Sequence, residues 1–147
     1  MKRTPKFLLL EEDFEALDAI GICSSLSDYR MAWNLNKTFG WQLGHSSLNI
    51  RIPQKKSSEP IEYLYYEHLG WEDLTDMYLI KNKQTSKPML EDYPQLDYLL
   101  VIKNNVSMDI DELIADLRKH QQIIAAYKYL TTDFTIAEFL QFDQSHE

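Results

Sequence analysis

Between residues 26 and 40 the apolar positions recur at helical spacing. Met31, Leu35 and Phe39 stand at i, i+4 and i+8, with Ala32 beside them. Ser27 is placed to cap this segment, Asp28 lies in the first turn where the helix dipole favours an acid, and Leu26 can staple onto Met31. With Gly40 as the stop, the spacing predicts a helix over 27–40. A second stripe, Ile110, Leu113, Ile114 and Leu117, predicts a helix over 108–120. Asp109 and Glu112 form its capping box, Met108 can staple onto Leu113, and Arg118, Lys119 and His120 suit its C-terminal end.

Elsewhere the period falls to two. Residues 47–53 alternate Leu48, Ile50 and Ile52 against Asn49 and Arg51 until Pro53 ends the run. Residues 61–69 alternate Ile61, Tyr63 and Tyr65 against Leu64, Tyr66 and His68, which reads as one strand, and a turn at 69–73 leads to another over 76–83. Residues 6–12 and 16–24 read as two opening strands, with Gly21 marking a bulge or a close approach. The run 96–104 is almost continuously apolar, the pattern of a central strand covered on both faces. Residues 123–130 fit either a last strand or an extension of the second helix, and the alternation of Ile123, Ala125, Tyr127 and Tyr129 favours the strand. The stretch TTDFTIAEFLQF reads as a helical turn or a docked segment.

The order is thus strand, strand, helix, four strands, helix, strand. Strands joined by short turns pair antiparallel, and two one-sided helices need an apolar face to cover. The expected fold is α+β: a two-layer sandwich, a mostly antiparallel sheet of about five to seven strands with two main helices packed on one face. Residues 1–147 form a single domain, the last ten or so being a docked or mobile tail. Such a sheet, with tyrosine-rich faces and an open edge, offers surfaces for pairing with a second copy.

Composition narrows the partners. The net charge of −8 speaks against nucleic acid and anionic membranes, and the one basic cluster, at 55–56, reads as a solvated loop. The apolar run Phe7–Leu10 is too short for a membrane span or a secretory segment. Cys23 is the one cysteine, so an intramolecular disulfide and C-x-x-C chemistry are excluded, and a reduced thiol fits the cytoplasm.

The segment LSDYRMAWNLNKTFG, preceded by AIGICS, together with LDYLLVIKN, resembles the small bacterial proteins named after the motif IPExxxVDY. The resemblance runs over nearly the whole chain. It is best over the helix bearing Asp28, Tyr29, Arg30, Trp33 and Asn36 and over the strand opened by Asp97 and Tyr98. The naming motif departs from the family: Leu90, Glu91 and Asp92 stand for Ile, Pro and Glu, Leu96 stands for Val, and Asp97 and Tyr98 match. The resemblance implies a small cytoplasmic bacterial protein and carries over no activity, cofactor or substrate.

Candidate chemistry is sparse. Asp28, Tyr29 and Arg30 at a helix start would suit a carboxylate or other anion; the plainer reading, which is favoured, pairs Arg30 with an acid such as Asp97. Trp33 lies off the apolar stripe, either as an interface anchor or packed under the tail. Asp97 beside Tyr98 is a functional carboxylate or a clamp on turn amides, the clamp being favoured. His45, His68, His120 and His146 have no metal-ligand spacing, Cys23 lacks a base at readable spacing, and the acids of LEDYPQLD lack the glycine and alternation of a calcium loop. Phosphate-cradling and nucleophile-elbow motifs are missing. No catalytic residue, metal or cofactor is assigned. The residues favour a non-enzymatic protein-interaction module or homodimer; the alternative is a small-ligand binder or enzyme with a site around Asp97, Tyr98 and Arg30.

Overall fold

The computed structural model describes residues 15–70 and 75–142. The strand expected over 6–12 lies outside these residues, as does most of the turn at 69–73.

Among the described residues, eight strands and two helices follow one another. After β1 (Asp18–Cys23) comes α1 (Asp28–Phe39), capped as its sequence dictates: Ser27 Oγ accepts from the Arg30 amide and Gly40 closes it at φ 75°. Next are β2 (Gly44–His45), β3 (Ile50–Ile52), β4 (Ile61–Tyr63), β5 (Tyr65–His68), β6 (Asp76–Lys81) and β7 (Tyr98–Lys103). Helix α2 (Ile110–Arg118) starts where Asp109 Oδ1 accepts the Asp111 and Glu112 amides, and β8 (Ala125–Leu130) follows it. Residues 125–130 are therefore a strand and not a continuation of the helix. Two 3-10 turns, Thr131–Asp133 and Ala137–Phe139, end the described chain.

One six-stranded antiparallel sheet, in the order β2-β5-β6-β7-β1-β8, organises the molecule. Both helices lie on one face. Met31, Ala32 and Leu35 of α1 and Ile110, Leu113, Ile114 and Leu117 of α2 pack with Ile20, Ile22, Met77, Leu79, Leu100 and Ile102 of the strands. The α+β sandwich is what the two periodicities demand. Strand β7 is buried along its whole length, the position its apolar run requires.

The opposite face is covered too, by pieces with no period of their own. Tyr78, Ile80, Leu99 and Val101 point there, under Ile50, Ile52 and Tyr63 of a separate β3–β4 hairpin, Met89, Leu90 and Leu96 of the loop after β6, and Phe134, Leu140 and Phe142 of the tail. The tail is thus docked as far as Phe142.

The expected strand over 61–69 is corrected by this arrangement. It breaks at Leu64 into β4, which pairs β3, and β5, which joins the main sheet. The amide of Gln84 takes both backbone groups at the break, accepting Leu64 N–H at 2.8 Å and donating to its carbonyl at 2.7 Å. The expected strand over 47–53 likewise shrinks to three residues outside the main sheet.

Gly21 is a close approach and not a bulge, since its pairing to Leu99 and Tyr127 is regular. A Cβ there would lie 2.7 Å from Leu96 Cδ1 and 2.9 Å from Tyr129 Cε2. Gly21→Val should therefore destabilise the protein by about 2 kcal/mol through overpacking, read as a lower urea midpoint at unchanged slope. A midpoint equal to the parent's would show that Leu96 and Tyr129 give way freely.

Candidate functional site

Helix α1 turns its apolar stripe into the core, so residues two positions off that stripe face outward. Tyr29, Trp33 and Lys37 follow at i, i+4 and i+8 along this outer side, with Arg30 and Asn34 in the neighbouring row. Tyr29 is 68% exposed and Trp33 51%, large values for rings of this size. Lys37 Nζ sits 5.0 Å from the Trp33 ring centroid, a cation–π contact. Tyr29, Arg30, Trp33 and Asn34 surround a hollow of about 240 Å3. Asn34 donates to the Arg30 carbonyl at 2.8 Å, and its Oδ1 is 3.2 Å from His120 Nε2, which ties the outer side of α1 to the turn after α2.

The pairing of Arg30 with Asp97 is corrected: Asp97 Oδ1 faces Lys83 Nζ at 3.6 Å, and among the described residues no acid lies within ion-pair reach of Arg30. The tail does not cover Trp33, because it packs on the other face of the sheet. Asp28 is also spent locally, its Oδ1 accepting from the Tyr29 amide at 2.8 Å.

Asp97 and Tyr98 are clamps. Asp97 Oδ2 accepts the Ser24 N–H at 2.8 Å and its own N–H donates to the Ile22 carbonyl, so it holds the end of β1 and not a local turn. Tyr98 is fully buried, and its hydroxyl donates to the Leu26 carbonyl just ahead of α1. Burial, then the charges of Asp28 and Asp97, push that phenol far above its ordinary range, so it stays protonated and keeps donating. Neither residue lines the hollow on α1, and the polar atoms named here are committed to structure. The thiol of Cys23 is raised by burial first and by Asp97 next, the opposite of what a nucleophile needs. His68 Nδ1 accepts the Gln42 amide, and the His45 ring lies tilted against Tyr66 with centroids 4.3 Å apart. Among the described residues no three His, Cys, Asp or Glu side chains group as metal ligands, and no helix is long and apolar enough to cross a membrane.

The sheet edges are guarded. Thr131 N–H donates to the Leu17 carbonyl, which by the alternation of an antiparallel ladder turns the backbone groups of Ala126, Lys128 and Leu130 away from β1. Arg118 fills that edge from α2, donating from Nε and Nη2 to the Ala126 carbonyl at 3.1 and 2.7 Å. Asp133 Oδ2 accepts the Leu130 N–H at 2.8 Å, and Lys128 reaches back to Asp111 at 3.3 Å. The other edge, β2, has two residues. Short, charged and occupied edges resist strand addition.

Neither a family model, nor a curated protein, nor a solved structure matches this chain.

Proposed function

We propose that this chain is a small cytoplasmic bacterial protein of the IPExxxVDY kind. In this reading it works without catalysis, docking a protein partner or a second copy of itself through the outer side of α1. One observation carries the proposal: Tyr29 and Trp33 stand exposed on a single helix face with Arg30 beside them around a hollow. Tyrosine, tryptophan and arginine are the residues on which binding energy concentrates at interfaces. The guarded edges of the sheet support the same face, since strand pairing is the competing route to a dimer. The likeness of Asp97–Tyr98 and of the Asp28–Asn36 segment to that family supports the class, and the negative net charge supports a protein over a nucleic acid or membrane partner.

Self-docking is the form to test first, by light scattering and sedimentation equilibrium across a concentration series. The expected result is a mass rising toward the dimer, with Trp33→Ala raising the dissociation constant roughly thirtyfold, the effect of a hot-spot truncation. A monomer mass up to about 1 mM removes the self-docking form. Partner capture that Trp33→Ala and Arg30→Ala leave intact removes the face.

A further inference from the structure

On the side of the sheet away from the helices, the β3–β4 hairpin, the loop after β6 and the closing turns enclose a cleft of about 860 Å3. This is the size of a ligand site and not of a packing defect. Ile52 and Ile61, paired across the hairpin, and Ile136 and Phe139 of the tail give it an apolar lining. Lys87 braces one wall: its ammonium donates to Gln54 Oε1 at 2.8 Å and meets Glu91 at 2.9 Å, stitching the hairpin loop to the loop after β6.

The remaining charges of the lining carry both signs, Lys55 and Lys56 against Glu59 and Asp92, and among the described residues none of the four forms an ion pair. A purely anionic ligand would meet the two acids and the field of a chain with net charge −8; a purely cationic one would meet the two lysines. Ser57 and Thr135 add hydroxyls that donate as well as accept. We infer that this cleft binds a short peptide of a partner chain, its apolar residues lying on the isoleucines and Phe139 and its flanking residues carrying opposite charges. Backbone amides answer the hydroxyls, acids answer Lys55 and Lys56, and a basic residue answers Glu59 and Asp92. The site is separate from the outer side of α1, so it stands or falls independently of the docking face.

A usable probe is the peptide PKFLLLEED, which has this composition and occurs in the chain itself at 5–13. The host is the full chain with Phe7, Leu8, Leu9 and Leu10 changed to serine, so that its own copy cannot compete. Fluorescence anisotropy of the labelled peptide should show saturable binding, weakened at least tenfold by Ile136→Asp and at least threefold by Lys55→Glu with Lys56→Glu. A peptide with its three acids changed to lysine should bind the K55E/K56E host more tightly than the unsubstituted host. This charge exchange lies on exposed side chains and decides the matter even where Ile136→Asp fails to fold. Binding to the serine host but not to the parent chain overturns the partner-chain occupant, the chain's own segment then being the ligand. No anisotropy change up to about 1 mM peptide overturns the inference. So does displacement by decanoate as tight as by unlabelled peptide, since a plain anionic amphiphile is then the ligand.

Discussion

Replacing Asn82 by leucine should cost about 4 kcal/mol of stability, which for a chain of this size lowers Tm by roughly 10 °C. Asn82 is fully buried just past the end of β6, and the loop to β7 is folded around it. Its Oδ1 accepts the Leu90 N–H at 2.7 Å, and its Nδ2 donates to the carbonyls of Leu96 at 2.8 Å and Tyr93 at 3.2 Å. Its backbone groups are used as well, the N–H by the Asp97 carbonyl and the carbonyl by the Met89 N–H. Leucine matches the side chain in size but leaves the Leu90 N–H and the Leu96 carbonyl without partners, each costing about 1–3 kcal/mol before relaxation, while the Tyr93 carbonyl keeps only the Leu96 N–H. Asn82→Asp keeps the acceptor and loses the donor, setting carboxylate oxygen against two carbonyls, and should be no milder. Chemical denaturation checks both. A loss below about 1 kcal/mol would mean that the loop re-forms its bonds by another route. The consequence reaches past stability, because this loop carries Glu91 and Asp92 to the cleft and Lys83 toward Asp97.

The same residue shows where sequence reasoning stops. Helix α1, helix α2 and β7 are legible because their signals are local: caps, staples and apolar spacing lie within a dozen residues of one another. The split at Leu64 is not, since Ile61, Tyr63 and Tyr65 keep strand alternation straight through it and the residue that breaks the ladder, Gln84, is twenty positions away. Asn36 does the like for Leu43, and Asn105 for Met108, each accepting an amide and donating to a carbonyl as a neighbouring strand would. Side-chain amides that stand in for backbone leave no periodic trace.

The candidate site divides along the same line. Trp33 and Tyr29 are readable as outward from the helical wheel, because the stripe of Met31 and Leu35 fixes the opposite side. That Arg30 has no acid beside it among the described residues, and that Asp97 takes the Ser24 amide and Lys83, depends on which chain ends meet. The cleft was missed because its lining comes from three distant segments, one of them the lysine-bearing loop that composition alone marks as solvated. An isoleucine at the last position of a short strand and another in the tail have no signal that joins them.

Phe142→Ala should destabilise the protein by about 3 kcal/mol, the range for an aromatic removed from a packed site. The ring is almost wholly buried, stacked on Tyr78 at 4.0 Å and set edge-on to Tyr65 at 5.2 Å. Lys103, itself buried, donates to the Gln141 carbonyl at 2.8 Å and so pins the same stretch of tail to β7. At φ 56° Phe142 holds a left-handed conformation that a non-glycine residue adopts at some cost, which tells of the packing that keeps it there. Phe142→Leu retains part of the contact and should lose about half as much. Near-UV dichroism from Tyr65 and Tyr78 should fall with the alanine change, and a spectrum and midpoint equal to the parent's would mean that the tail contributes no cover. Because Phe142 packs in the layer opposite the helices, its loss also separates the two surfaces. Association that depends on Trp33 should persist in the folded variant, whereas peptide binding at the cleft, which borrows Ile136 and Phe139 from the same tail, should weaken severalfold.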